Sequence, residues 1–543
     1  MEKMLLLGDE AIAQGAIDAG ISGFYGYPGT PSTEIIEYAQ RSKQAKGLGI
    51  HTQWSTNEKT AMEEAIGMSY AGKRTMVTMK HVGLNVASDA FINSAITGAN
   101  GGLIVVVADD PSMHSSQNEQ DSRFYGKFAM VPMLEPSNQQ EAYDMVHYGF
   151  ELSEKFRLPV LLRIVTRLSH SRSGVLRKEV VASQNEIRLP SDPRQFVLLP
   201  SIARKQYASL LDNQTPLEVE SEQSEYNTYF SGTDTSKGII TTGLGYNYVM
   251  EHFPDGCPYP LLKITQYPVP VNLIKKMMDE VDEVYIAEEG YPLVESDLRG
   301  LLNQNGNMIH GRLDGTFPRM GELNPVNVAK GLGIKISQEI EASSAIAARP
   351  PALCPGCGHI YFYKALNEVM EPYGVGRVFA DIGCYTLGAL PPLNAINSCV
   401  DMGASITMAK GAADAGLKHS VAVIGDSTFM HSGMTGLIDC LRENTPVTIF
   451  ILDNSAVGMT GGQESAALNK IDDIVKGLGI DMEHYHVLNP VPKEHDKMVE
   501  VFTKELEYEG VSVIVPRREC VQTYTRRMRL LKKQKQKEAS VNK

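Results

Sequence analysis

The chain has 543 residues, room for about three to four domains at roughly 150 residues each, so it can bury its cores without disulfides. A formal net charge of −13 argues against a nucleic-acid-binding protein, because phosphate contacts need a basic face. Its seven cysteines, at 257, 354, 357, 384, 399, 440 and 520, are odd in number, which points to thiols or metal ligands in a reducing compartment rather than a disulfide framework.

From the N-terminus, MEKMLLLGDEAIAQG holds an apolar run too short for a signal-peptide core. No stretch approaches the roughly 20 apolar residues of a membrane span, so a cytoplasmic location is expected. ISGFYGY reads as a short strand, followed by Tyr27-Pro28-Gly29-Thr30-Pro31-Ser32 before a helix. Hydroxyls and amides at such a helix start suit a carboxylate, and Ser32 is an N-cap candidate. STNEKTAMEEAIGMSYAG reads as a helix with three acids, Glu58, Glu63 and Glu64, near its start. Lys80 and His81 in MKHVGLN, and His114 and Arg123 in HSSQNEQDSR, follow apolar strands. There an imidazole or a cation can reach a substrate, although a lone His is more often structural.

GGLIVVVADD, SVAVIGDS and VTIFILDN are Val/Ile-rich runs that alternate with amphipathic segments and end in polar residues. This rhythm predicts an α/β fold with parallel sheets and places the chemistry at the carboxyl ends of the strands. Residues 188–236 are polar and poor in apolar periodicity, as in a surface connection. A second break falls at Pro350 and Pro351. No short tandem repeat is found. The basic run RRMRLLKKQKQK at 526–537 reads as a solvated, partly helical end.

The strongest feature is Gly425-Asp426-Ser427, followed after the 25 residues 428–452 by Asp453-Asn454. Each pair ends a predicted parallel strand, and MTGLIDCLREN between them reads as the crossover helix. A magnesium diphosphate needs hard oxygen ligands. Asp426, the Asn454 side chain and the Ala456 carbonyl meet that need, and GMTGGQ adds glycine-rich backbone for the phosphates. Cys354 and Cys357 form a CxxC, which alone is ambiguous between zinc, a redox pair and an iron–sulfur site. With Cys384 and Cys520 there are four thiolates, the number a [4Fe–4S] cube requires. Cys257, Cys399 and Cys440 suit isolated buried thiols.

The GDS…DN pattern with DNSAVGMTGGQ resembles the thiamine-diphosphate signature of the 2-oxoacid:ferredoxin oxidoreductases. YPGTPSTEI, WSTNEKTAMEEAIG, KHVGLNVASD, ADDPSMHSSQNEQDSRFY, CPGCGH and DIGCYTLGALPPL look like the large subunits of their indolepyruvate branch. The resemblance implies a thiamine-diphosphate-binding fold in three parts: a pyrimidine-binding domain at 1–190, a transketolase-C-terminal-like domain at 237–340 after a connection at 191–236, and a diphosphate domain at 345–520. A basic tail follows at 521–543. It implies that Glu58, with Gly67 and Gly72 at the family's spacing, faces the aminopyrimidine, and that Thr30 contacts the substrate carboxylate; His81 and Arg123, from their loops after apolar strands, are further candidate substrate contacts. His359, Gly383, Cys384, Gly425, Asp426, Ser427, Asn454, Ala456, Thr460 and Gly461 are implied to bind the cofactor, with Mg2+ on Asp426, Asn454 and Ala456. Cys354, Cys357, Cys384 and Cys520 are implied to hold a [4Fe–4S] cluster, with a structural zinc as the alternative.

The implied reaction joins an arylpyruvate to coenzyme A, giving arylacetyl-CoA and carbon dioxide and reducing ferredoxin. A smaller β subunit completes an expected assembly of two large and two small chains. Indolepyruvate large subunits often continue into a ferredoxin-like module, whereas only 23 residues, none of them Cys, follow Cys520. No internal relay is therefore expected. The rival readings are a non-oxidative thiamine decarboxylase and a silent assembly subunit.

Overall fold

A computed structural model describes the chain except for residues 1, 182, 191–194, 301–307, 319–320, 337–342, 344, 347–351, 400, 415 and 542–543. The chain divides into two units, Met1–Glu341 and Ala342–Lys543. The expected break at Pro350 and Pro351 lies outside the described residues.

In the first unit the run LIVVVAD forms the strand Leu103–Asp109, buried along its whole length. A strand that is apolar on both faces belongs in the middle of a parallel sheet covered by helices. The sheet has seven strands among the described residues, in the order Gln266–Tyr267, Met133–Leu134, Val160–Val165, Leu103–Asp109, Thr75–Lys80, Gly23–Gly26 and His51–Trp54. All neighbours are parallel except the first pair. That edge strand comes from the 237–340 segment, which is thereby sewn to the first sheet. The segment also has a five-stranded sheet of its own, with Gly238–Thr242 at its centre.

The connection at 191–236 is not a bare loop. It contains the helices Pro200–Asp212 and Gln214–Glu222 and the edge strand Thr228–Phe230. Leu210 and Leu217 are the apolar side chains these helices bury. With one such leucine on each helix, neither shows the apolar face an amphipathic helix usually has. The first helix starts on Pro200, whose fixed φ suits a first turn.

The second unit is a six-stranded, wholly parallel sheet in the order Ser398–Cys399, Val378–Ala380, Ser420–Gly425, Val447–Leu452, Val511–Pro516 and Tyr485–Leu488. Ser420–Gly425 and Val447–Leu452 are neighbours, with Gly425 opposite Leu452, so their polar ends emerge side by side. The crossover between them turns through a short π-helical stretch, Phe429–Gly433, before the helix Met434–Glu443. The basic end forms the helix Val521–Val541. Among the described residues no helix is long and apolar enough to cross a membrane.

Candidate functional site

One group of candidate residues lies at the carboxyl ends of the strands in the first unit. Asn57 caps the helix Glu58–Tyr70 by accepting from the Thr60 amide at 2.8 Å, which fixes Glu58 as the first helical residue. Glu58 is 5% exposed, and a Cβ on Gly83 would stand 2.7 Å from its carboxylate. Only glycine leaves room for the acid there. The two rivals point to other work: Glu63 pairs with Lys59 at the surface, and Glu64 accepts from Ser55 Oγ at 2.5 Å and Gln53 Nε2 at 3.3 Å.

Lys80 ends the strand Thr75–Lys80 and lays its stem over Gly29. Its Nζ donates to the Ser115 carbonyl at 3.1 Å, while Ser115 Oγ donates to the Thr30 carbonyl at 3.2 Å. One serine therefore joins the lysine to the Thr30 loop. Burial lowers the Lys80 ammonium to about 8 against the pull of Asp110 and Glu58. Asp110 accepts from the Ser115 amide at 2.8 Å, Ser116 Oγ at 2.8 Å and Thr166 Oγ1 at 2.7 Å. Ser32 stands at the N-cap position, but its hydroxyl donates back to the Gly29 carbonyl at 2.8 Å instead of capping the helix.

His81 begins the helix His81–Thr97 and is 1% exposed. Its Nε2 lies 3.2 Å from both oxygens of Asn118, and its Nδ1 has no hydrogen-bond partner. Burial lowers its pKa, so the ring is neutral at pH 7. His114 is half exposed, 3.5 Å from Glu322, and no bond joins it to the Lys80 group.

Arg123 departs from expectation. It is 0% exposed, and its guanidinium is used up inside the protein. Nε donates to Asp121 at 3.0 Å, Nη1 to Glu288 at 3.0 Å and to the Tyr267 hydroxyl at 3.3 Å, and Nη2 to the Glu289 and Tyr291 carbonyls at 3.1 and 2.7 Å. No donor is left for a substrate carboxylate. Arg123 is a tie between the two sheets of the first unit. A cation in a polar loop reads as exposed, and only the nearby Asp121 signals otherwise.

Another group lies at the paired strand ends of the second unit. Asp426 is 2% exposed, and its Oδ2 has no hydrogen-bond partner. Burial, aided by the neighbouring Asp453, raises its carboxyl to about 7. Asp453 is neutralised by Arg517 Nε at 2.6 Å, which leaves Asp426 as the acid without a cation. Asn454 Oδ1 accepts from the Ala456 amide at 3.0 Å, and its Nδ2 lies 3.4 Å from His359 Nε2. Burial lowers the His359 imidazole to about 4, so it is neutral. Ser427 Oγ donates to Ser465 Oγ at 2.9 Å. Thr460 Oγ1 donates to Gln463 Oε1 at 2.6 Å, closing the glycine loop in which Gly461 holds φ +125°.

The aromatic floor went unnoticed in the sequence. The ring of Tyr385 covers Gly425, where a Cβ would meet it at 2.6 Å, and also Gly383. Its hydroxyl donates to the buried Asp381, which also takes a bond from Ser405 Oγ at 2.6 Å.

The cysteines gather at this end. Cys357 N donates to the Cys354 carbonyl at 3.0 Å in a tight turn, and Cys520 N donates to the Asn454 carbonyl at 3.0 Å. Cys384 Sγ would lie 2.9 Å from a Cβ on Gly458. Burial raises the Cys384 thiol to about 12, with Cys520, Cys357 and Cys354 adding to the shift. The four thiols therefore share one neighbourhood. One zinc would draw its sulfurs to about 3.8 Å apart, given Zn–S of about 2.3 Å. Among the described residues no three of these sulfurs lie within 4.8 Å of one another. Of the other cysteines, Cys440 is buried as expected, Cys257 is half-buried and Cys399 is exposed.

Hard oxygen donors around an unpartnered buried carboxylate fit a magnesium diphosphate, and four spread thiols fit an iron–sulfur cube.

Residues 381–515 match the family described as thiamine pyrophosphate enzyme, C-terminal TPP binding domain. Residues 14–228 match the thiamine-diphosphate-binding domain of pyruvate flavodoxin/ferredoxin oxidoreductases. The chain is similar to the indolepyruvate oxidoreductase subunit IorA of Archaeoglobus fulgidus, at 41% identity over 97% of this chain and 88% of that one. It is also similar to IorA of Thermococcus kodakarensis, at 39% identity over 96% and 86%. A solved 2-oxoglutarate:ferredoxin oxidoreductase from Magnetococcus marinus matches 61% of this chain and 65% of its own, with a TM-score of 0.50 and 16% identity, a likeness of fold.

Proposed function

The chain belongs to the IorA family of indolepyruvate oxidoreductase subunits, thiamine-diphosphate-dependent 2-oxoacid:ferredoxin oxidoreductases, and we propose that it oxidatively decarboxylates an arylpyruvate onto coenzyme A. Cys354, Cys357, Cys384 and Cys520 would hold a [4Fe–4S] cluster, which would supply one-electron transfer toward a ferredoxin-class carrier. The observation that carries this reading is the unpartnered, buried Asp426 Oδ2, in the same neighbourhood as those thiols.

Thiamine diphosphate, when bound, supplies a carbon nucleophile and a sink for the electrons left by decarboxylation. Asp426, the Asn454 side chain and the Ala456 carbonyl hold the Mg2+ of its diphosphate, since Asn454 Oδ1 keeps a second lone pair beside its bond to Ala456 N. The loop of Thr460 and Gly461 lets backbone approach the phosphates, and His359, as a neutral donor, steadies them. Glu58 holds and moves the proton at the aminopyrimidine nitrogen. It is kept in place by its helix cap and by the space Gly83 leaves. Thr30 and the Lys80 ammonium receive the substrate carboxylate, and His81, neutral and with Nδ1 unpartnered, donates or accepts beside it.

The relatives are named as subunits, which supports a second, smaller chain needed for thioester formation. Two large and two small chains would satisfy a closed two-fold assembly. The test is an anaerobic assay of the purified complex with indolepyruvate, phenylpyruvate and hydroxyphenylpyruvate, coenzyme A and a viologen dye. The expected result is arylacetyl-CoA with dye reduction from the complex and no thioester from the isolated chain. Aldehyde without dye reduction would indicate a non-oxidative decarboxylase, and no carbon dioxide at all an assembly subunit.

A further inference from the structure

A second cluster of potential ligands lies in the first unit, built from residues far apart in sequence. Asp9 is the second residue of the helix Gly8–Asp18, Glu34 the second of Thr33–Arg41, and His170 ends the short helix Thr166–His170. Gly8 makes the meeting possible, because any Cβ there would collide with the Leu168 carbonyl. One ligand atom from each of Asp9, Glu34 and His170 lies within 4.8 Å of the others, and among the described residues no other group of three or more His, Cys, Asp or Glu does this. His170 Nε2 is 3.5 Å from Glu34 Oε2.

The independent sign of a ligand is unmet bonding. Asp9 is 0% exposed, yet neither of its carboxylate oxygens has a hydrogen-bond partner. The hydroxyl of Ser169, also 0% exposed, and the Glu34 carboxyl lie beside the Asp9 carboxyl, and neither is a cation. Buried polar groups left this way are uncommon and call for an ion, a water or a proton.

We propose that Asp9, Glu34 and His170 bind one divalent transition-metal cation of the Zn2+ class. Two carboxylates neutralise a dication in a buried place. An imidazole among the donors favours Zn2+ or its first-row neighbours over Mg2+ and Ca2+, which take oxygen. Asp9 is enclosed while His170 is exposed, so the ion enters from the His170 side and keeps a water there. The ion ties the first turn of Thr33–Arg41 to the start of Gly8–Asp18. Since the Thr30 loop runs straight into Thr33–Arg41, the ion fixes where that loop ends. The competing state is a proton shared between Asp9 and Glu34.

The experiment uses the full chain, purified anaerobically with its cofactors, loaded with Zn2+, gel-filtered and analysed for zinc, iron and thiamine diphosphate. The zinc absorption edge identifies the neighbours. The expected result is one zinc per chain with only nitrogen and oxygen neighbours at about 2.0–2.2 Å. His170→Ala, at an exposed position, and the isosteric Asp9→Asn each lose that zinc while iron and thiamine contents stay unchanged. Sulfur neighbours, or zinc retained in both variants, would overturn the proposal. So would a wild-type chain that takes up no zinc while Asp9→Asn melts higher, the signature of the shared proton.

Discussion

The acids around Arg123 and the acid at Asp426 are equally shut away from water, yet only the first group is closed by the protein's own charges. Arg123 and Arg163 meet Asp121, Asp109, Glu135 and Glu288 in one network, with Arg163 Nε 2.6 Å from Asp109 and Arg163 Nη1 2.5 Å from Glu135. Asp426 has no such cation, because Arg517 is spent on Asp453. The difference teaches how to tell architecture from a site: a buried charge whose partners are all internal holds the fold together, and one left open awaits a ligand.

The largest expected effect falls on the closed group. Arg123→Met removes the cation from Asp121 and Glu288 and should destabilise the chain by about 3–5 kcal/mol, the range for breaking a buried pair. Urea unfolding measures it. An unchanged midpoint would show that these acids are solvated and that the comparison fails. Glu58→Gln should leave stability and bound thiamine diphosphate alone while turnover falls by roughly 10²–10⁴, the usual share of a positioned acid–base group. Steady-state dye reduction reads the loss, and near-normal turnover would remove Glu58 from its role.

Cys384→Ser should strip iron from a wild-type content of about four per chain, whereas Cys440→Ser, in the core, should keep it. Stoichiometric zinc without iron in the wild type would contradict the cluster.

The smallest effects are pH limbs. With its folded pKa raised to about 7, Asp426 is protonated below that value. Its contribution to cofactor-free stability is fully present below the unfolded pKa and is lost as pH rises through about 7. A metal must displace that proton, so affinity for magnesium thiamine diphosphate should climb up to about pH 7 and level off above it. Lys80, lowered to about 8, should let KM for the 2-oxo acid rise above that pH, and Lys80→Met should abolish this limb.

The polar strand ends of the second unit were legible in the sequence because strands announce themselves by apolar runs. Asp426 follows SVAVIG directly and the pair Asp453-Asn454 follows VTIFIL, and parallel pairing brings the two ends side by side. Glu58 was singled out from Glu63 and Glu64 by the family resemblance, while the Asn57 cap that makes it the first helical residue shows only in the structure. Arg123 was not, because burial of a polar loop residue depends on what folds over it, here Tyr267 and Glu288 from well over a hundred positions away. The helices at 200–222 hid in a polar segment, with one buried leucine on each. Gly83 gave no local sign of its role, since only the packed structure places its missing side chain against Glu58. Asp9, Glu34 and His170 share no spacing at all.

The most direct measurement is a titration of thiamine diphosphate with Mg2+ into wild-type and Asp426→Asn chains, with the cofactor-free melting temperature of each recorded alongside. If Asp426 is an open charge awaiting a cation, Asn at that position weakens cofactor binding by more than roughly a hundredfold. The cofactor-free melting temperature then stays equal or rises, because an unpaired buried acid has been removed. Retained binding together with a lowered melting temperature would contradict this and make Asp426 a structural residue like Asp121.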